Sequence, residues 1–114
     1  MPQYIFVYRA LRGEPPAPSE EIFASWSGWF DSHGRTVVEP GLPVFERTAV
    51  GEAGASTDLG GYSVVTADDL AAAIALARTS PALKYGGGVE VGVLAELPPE
   101  HGASRLKEER AARA

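Results

Sequence analysis

The chain contains no cysteine, a single methionine and only two histidines among its 114 residues. Without cysteine there is no disulfide framework, no thiolate nucleophile and no cysteine-ligated zinc or iron–sulfur centre. The histidines, His33 and His101, are far apart in sequence and offer no metal-ligand spacing, so no metal site is expected. Basic residues are scarce too, ten against fifteen acidic, for a formal net charge of −5. Nucleic-acid phosphates need a basic face to meet them, so nucleic acid is not an expected partner. The longest apolar run, residues 70–77, is Ala-rich and far short of the roughly 20 residues that span a bilayer. Met1-Pro2-Gln3-Tyr4 leads straight into an alternating pattern with no basic, signal-like stretch. No membrane association is expected, and the cytoplasm is the expected location.

What is present describes one globular domain. Hydrophobic residues make up 45% of the chain and charged residues 22%, close to ordinary globular usage, and the length suits a single core. Thirteen Gly and nine Pro call for several tight turns and irregular loops, among them the Pro-rich stretch 13–18. The domain is expected to occupy residues 1–98. Residues 99–114 form a charged tail with four basic and three acidic side chains and Leu106 as its only large apolar one.

Residues 3–9 are rich in aromatic and β-branched side chains and predict a strand. Tyr4, Phe6 and Tyr8 alternate with Ile5 and Val7, so both faces of this strand are apolar. Residues 19–33 predict a helix with Ser19 as N-cap, acidic Glu20 and Glu21 in its first turn, and Gly34 as its stop. Ile22, Trp26, Trp29 and His33 fall on one stripe of that helix, flanked by Phe23 and Phe30. Short strands are predicted at 35–39 and 62–66, with a weaker edge strand at 44–50. A second helix follows, with Thr66 as N-cap, Asp69 as capping-box partner and Leu70, Ala73, Ile74 and Ala77 as apolar stripe. Ser80-Pro81 ends it, Gly86-Gly87-Gly88 makes a tight turn, and residues 89–96 predict a last strand.

This order predicts an α+β fold, a ferredoxin-like antiparallel sheet with two helices on one face. The second sheet face then remains apolar and uncovered. Pairing with another copy, face to face, covers both at once, giving a homodimeric α/β barrel. Phe6 is expected on that interface, so that Phe6→Asp would break the dimer. A ligand cleft is expected beside the helices or at the barrel rim.

Four segments resemble the YCII-related proteins, including the relatives known for a DGPF motif: residues 4–9 (YIFVYR), 26–30 (WSGWF), 59–65 with 67–70 (LGGYSVV and ADDL), and 86–91 (GGGVEV). The likeness spans residues 3 to about 94 in the family's order and spacing. It implies a dimeric ferredoxin-like α/β barrel, and for some relatives a small-molecule enzyme with a His–Asp pair. This chain departs from that pattern: its first helix has no interior His, and Ala53-Gly54-Ala55-Ser56 stands about where relatives carry the DGPF motif.

The candidate catalytic residues are His33, Asp58 and Glu90. His33 sits at a helix end, either as a general acid or base partnered by Asp58 or Glu39, or as a cap on helix carbonyls. Glu90 interrupts a valine-rich strand and calls for a partner such as Tyr62 or Arg9. Tyr8, Arg9, Trp26 and Tyr62 are candidate ligand-binding residues, Arg9 for a carboxylate or phosphate and Trp26 for a flat ring. Core packing for Trp26 and a surface ion pair for Arg9 are the competing assignments. Gly86-Gly87-Gly88 lacks a following Lys-Ser/Thr and precedes a strand, which excludes a phosphate loop. The functional expectation is a small-molecule lyase or isomerase acting by proton transfer in a cleft of each protomer, without a cofactor. The alternative is a non-catalytic small-ligand-binding or accessory dimeric module.

Overall fold

A computed structural model describes residues 1–11, 20–53 and 57–95. The expected Pro-rich loop at 13–18, the Ser19 cap, residues 54–56, the domain boundary at 98 and the tail lie outside the described residues. The elements are β1 (Gln3–Leu11), α1 (Glu20–Ser32), β2 (Val37–Glu39), β3 (Thr57–Thr66), α2 (Leu70–Arg78), α3 (Pro81–Lys84) and β4 (Gly88–Leu94). The four strands form one antiparallel sheet in the order β2-β3-β1-β4, an α+β architecture.

Register decides which side chains share a face. Tyr4, Phe6 and Tyr8 lie opposite Val65, Ser63 and Gly61 of β3, and opposite Val93, Val91 and Val89 of β4. This is the face that the helices cover. Phe6, Val65 and Ser63 are its largest fully buried side chains, and Trp29 of α1, Ala73 and Ala77 of α2 and Ala82 of α3 complete the core. The expectation that Phe6 lies on a dimer face is therefore corrected: it is 0% exposed, beneath the helices. Ile5, Val7, Tyr62, Val64 and Leu94 occupy the opposite face, and no described element packs over it.

Side-chain size sets how each helix meets the sheet. Ala73 and Ala77 present almost no side chain, so α2 lies close over β4, with Leu70 and Ile74 turned to its flanks and partly exposed. The larger Trp26, Trp29 and Phe30 hold α1 further out, as a ring cluster over β1. The α2 cap is Asp69, not Thr66. Thr66 remains in β3, where its N–H donates to the Thr36 carbonyl, whereas Asp69 is extended and its carboxylate accepts from the Ala72 N–H at 2.8 Å.

The sequence did not suggest α3. Ser80-Pro81 does end α2, but proline at the first helical position suits a new start, and one turn follows. Its N-cap Ser80 is buried and its hydroxyl has no hydrogen-bond partner among the described residues. The expected edge strand at 44–50 does not form. Among the described residues, a Pro43–Gly61 bridge and a Val44 N–H to Gly60 carbonyl bond carry the ladder beyond β2. After α3 the chain must pass against β1. A Cβ on Gly87 would lie inside contact distance of the Arg9 carbonyl oxygen, so only glycine fits there.

Candidate functional site

The sequence-derived candidates separate into four environments. Tyr8 is interior to β1, because the strand continues to Leu11, and it is 7% exposed. Its hydroxyl donates to Ser63 Oγ at 2.8 Å, and Ser63 Oγ donates onward to the Pro40 carbonyl at 2.7 Å. The Ser63 proton is committed to Pro40, so Tyr8 serves as donor and holds its own proton. Trp26 meets Tyr8 edge-on at 4.6 Å and also packs against Trp29 and Phe30. Tyr8 and Trp26 are thus engaged with the core.

Burial pushes the Tyr8 phenol up to about 12 from 10.0, because the phenolate would lose its hydration. Between those values the unfolded chain has released this proton and the folded chain keeps it. Stability is therefore unaffected below about pH 10 and falls as pH rises toward 12, at about 1.4 kcal/mol per pH unit. Tyr8→Phe should remove this alkaline slope. Urea unfolding of both proteins at about pH 9 and about pH 11.5 measures it: the wild type's advantage should shrink at the higher pH.

Arg9 and Glu90 lie together on the uncovered sheet face, Nη2 to Oε1 3.2 Å apart, with Glu90 67% exposed. The ion pair proposed for Arg9 is present, and the partner expected for Glu90 is Arg9. Pairs this exposed contribute roughly 0–1 kcal/mol. Tyr62, on the same face, is 40% exposed, and its backbone passes so close to Gly41 that a side chain there would collide with the Tyr62 carbonyl. Gly41 has φ of +72°, which also favours glycine.

Asp58 stands at the start of β3, opposite Ala10, and so on the other side of the sheet from Arg9 and Glu90. Its carboxylate pairs with Arg47 at 3.3 Å. The same guanidinium donates to the Val44 and Leu59 carbonyls at 3.2 Å each, so Arg47 ties the 44–50 segment to β3. His33 follows the last turn of α1. Its N–H bonds back to Trp29 and Phe30, its carbonyl accepts from Thr36 and Val37, and its imidazole lies 5.3 Å from the Trp29 ring. Glu39, its other suggested partner, accepts from the Gly41 N–H.

His33, Asp58 and Glu90 do not meet within one chain. His33 is joined to Val37, which pairs with Val65, whereas Asp58 is seven residues earlier on β3. At about 3.3 Å per residue that is roughly 23 Å along the strand. Glu90 lies on the opposite sheet face. Among the described residues, no three of His, Asp and Glu cluster closely enough to hold a metal ion. No described helix is long and apolar enough to cross a membrane.

A concave surface exists elsewhere. Ile74, Ala77 and Arg78 of α2, Leu83 of α3, and Val89 and Val91 of β4 line an open groove of about 310 Å³ beside the helices. Sequence reasoning missed Arg47, Ser63 and Arg78. Ser63 carried a signal, as a polar residue on the buried alternation of β3; Arg47 and Arg78 carried none. In comparisons with known proteins, no family model and no curated protein matches this chain.

Proposed function

We propose that the protein is a non-catalytic small-ligand-binding module that works as a homodimer, two copies joined sheet to sheet in an α/β barrel. The observation that carries this is the division of the sheet. One face is filled by the helices, and the other presents Ile5, Val7, Tyr62, Val64 and Leu94 with no described element over them. Apolar side chains side by side on a sheet are costly to leave in water, and two-fold pairing removes both copies' faces from solvent together. The element order and the β2-β3-β1-β4 sheet suit a ferredoxin-like arrangement, which supports kinship with the YCII-related proteins. The separation of His33, Asp58 and Glu90 favours binding over the lyase or isomerase alternative, which needs a proton donor and acceptor at one substrate.

Val7→Asp tests the pairing, since Val7 lies at the centre of the uncovered face and outside the helix-covered core. In sedimentation, the wild type should have twice the 12.0 kDa mass of one chain. Val7→Asp should sediment as a folded monomer with an unchanged far-ultraviolet spectrum. A wild-type monomer across micromolar concentrations would refute the barrel.

A further inference from the structure

We infer that the groove between α2, α3 and β4 binds a monocarboxylate with a short apolar chain, its carboxylate held by Arg78. The inference rests on the small-ligand reading above and adds the place and chemistry of the ligand. Five of the six lining residues, Ile74, Ala77, Leu83, Val89 and Val91, are apolar, and Arg78 is the single charge. A volume of about 310 Å³ sits at the small end of ligand sites and has room for an apolar chain of up to about eight carbons.

Arg78 is exposed and makes no ion pair with another described residue, unlike Arg9 and Arg47. Its guanidinium offers two parallel N–H donors, the geometry a carboxylate accepts. A single cation in an otherwise apolar lining matches a monoanion; a phosphate dianion would lack a second donor group. Lys84, the next cation along the chain, lies over the Tyr85 ring at 5.5 Å and is absent from the lining.

Arg78 belongs to the last turn of α2, where free carbonyls would oppose an anion. Here two of those carbonyls are already occupied. The Leu76 carbonyl accepts from the Thr79 hydroxyl and N–H, and the Ala77 carbonyl from the Ser80 N–H. The helix end therefore opposes a carboxylate less than an uncapped one would.

Octanoate, octanol and octylamine serve as probes, titrated into nitrogen-15-labelled full-length protein. Octanoate should shift the amides of residues 74–78, 83 and 88–91, and bind at least about tenfold tighter than octanol or octylamine. Arg78→Gln should weaken octanoate about tenfold and leave octanol unchanged. Ile74→Glu, which sets a carboxylate on the groove wall at a partly exposed position, should weaken octanoate further. Equal affinity for octanoate and octanol, an unchanged octanoate affinity in Arg78→Gln, or shifts confined to the sheet face would overturn the assignment. Sedimentation of the same samples separates the two proposals. A dimer without octanoate shifts overturns the groove alone, whereas a monomer with Arg78-dependent octanoate binding supports the groove and overturns the dimer.

Discussion

Phe6→Asp should yield a chain that does not fold. Phe6 is completely buried in the central strand, between Ser63 and Val91 and beneath the helices. Losing its ring forfeits about 1.5–3 kcal/mol of burial. The carboxylate then enters an apolar site with no cation to meet it, at a further cost of several kcal/mol. The two together rival the whole stability of an ordinary domain of this size, about 5–15 kcal/mol. Circular dichroism should show no cooperative thermal transition for Phe6→Asp. Phe6→Leu, close in volume and apolar, should melt cooperatively. The contrast with Val7→Asp matters most, because adjacent residues on β1 face opposite ways. A folded, monomeric Phe6→Asp would mean that the two sheet faces are assigned the wrong way round.

Trp29→Ala should cost about 3–5 kcal/mol, the range for emptying a large aromatic site. Trp29 is the one buried residue of α1. Its ring contacts Trp26, Phe30 and His33 at centroid distances of 6.1, 5.2 and 5.3 Å. Its indole N–H donates to Thr79 Oγ1 at 2.9 Å, joining α1 to the end of α2. Removing the ring therefore loosens both helices. Urea unfolding followed by the fluorescence of Trp26 should show a large drop in midpoint. Trp29→Phe should retain most of the packing and cost less, since the Thr79 hydroxyl still donates to Leu76. A Trp29→Ala midpoint equal to the wild type would remove α1 from the core.

The sequence revealed the strands and the two long helices because each carries its own period. Alternation in β1 and the stripes of α1 and α2 are local properties, written within nine to thirteen residues. The misplacements arise where a local signal has two outcomes. Gly60-Gly61 looks like the start of a strand, yet β3 runs from Thr57 straight through it. The register shifts there, and Gly60 lies against the Tyr8 carbonyl. Thr66 and Asp69 fit a capping box, but the Thr36 carbonyl claims the Thr66 N–H from thirty residues away. Which face of β1 the helices cover was not legible, since both faces are apolar. The candidate site was least legible of all. Arg9 was among the partners expected for Glu90, but that Arg47 meets Asp58 and that His33 meets neither carboxylate depends on how distant segments come together.

The position of β1 at the middle of the sheet also governs when the domain can come into being. Of the four described strands it is synthesised first, and both of its neighbours, β3 and β4, come much later in the chain. At 5–20 residues per second, about 4–15 s separate the emergence of β1 from that of β4. Until β3 emerges, Tyr4, Phe6 and Tyr8 have no sheet to enter, and the edge that β4 will cover stands open to other chains for the whole interval. Closing such long loops before any reward is earned also slows the refolding of the finished chain. Nascent β1 is therefore the segment most exposed to mispairing before its partners are made.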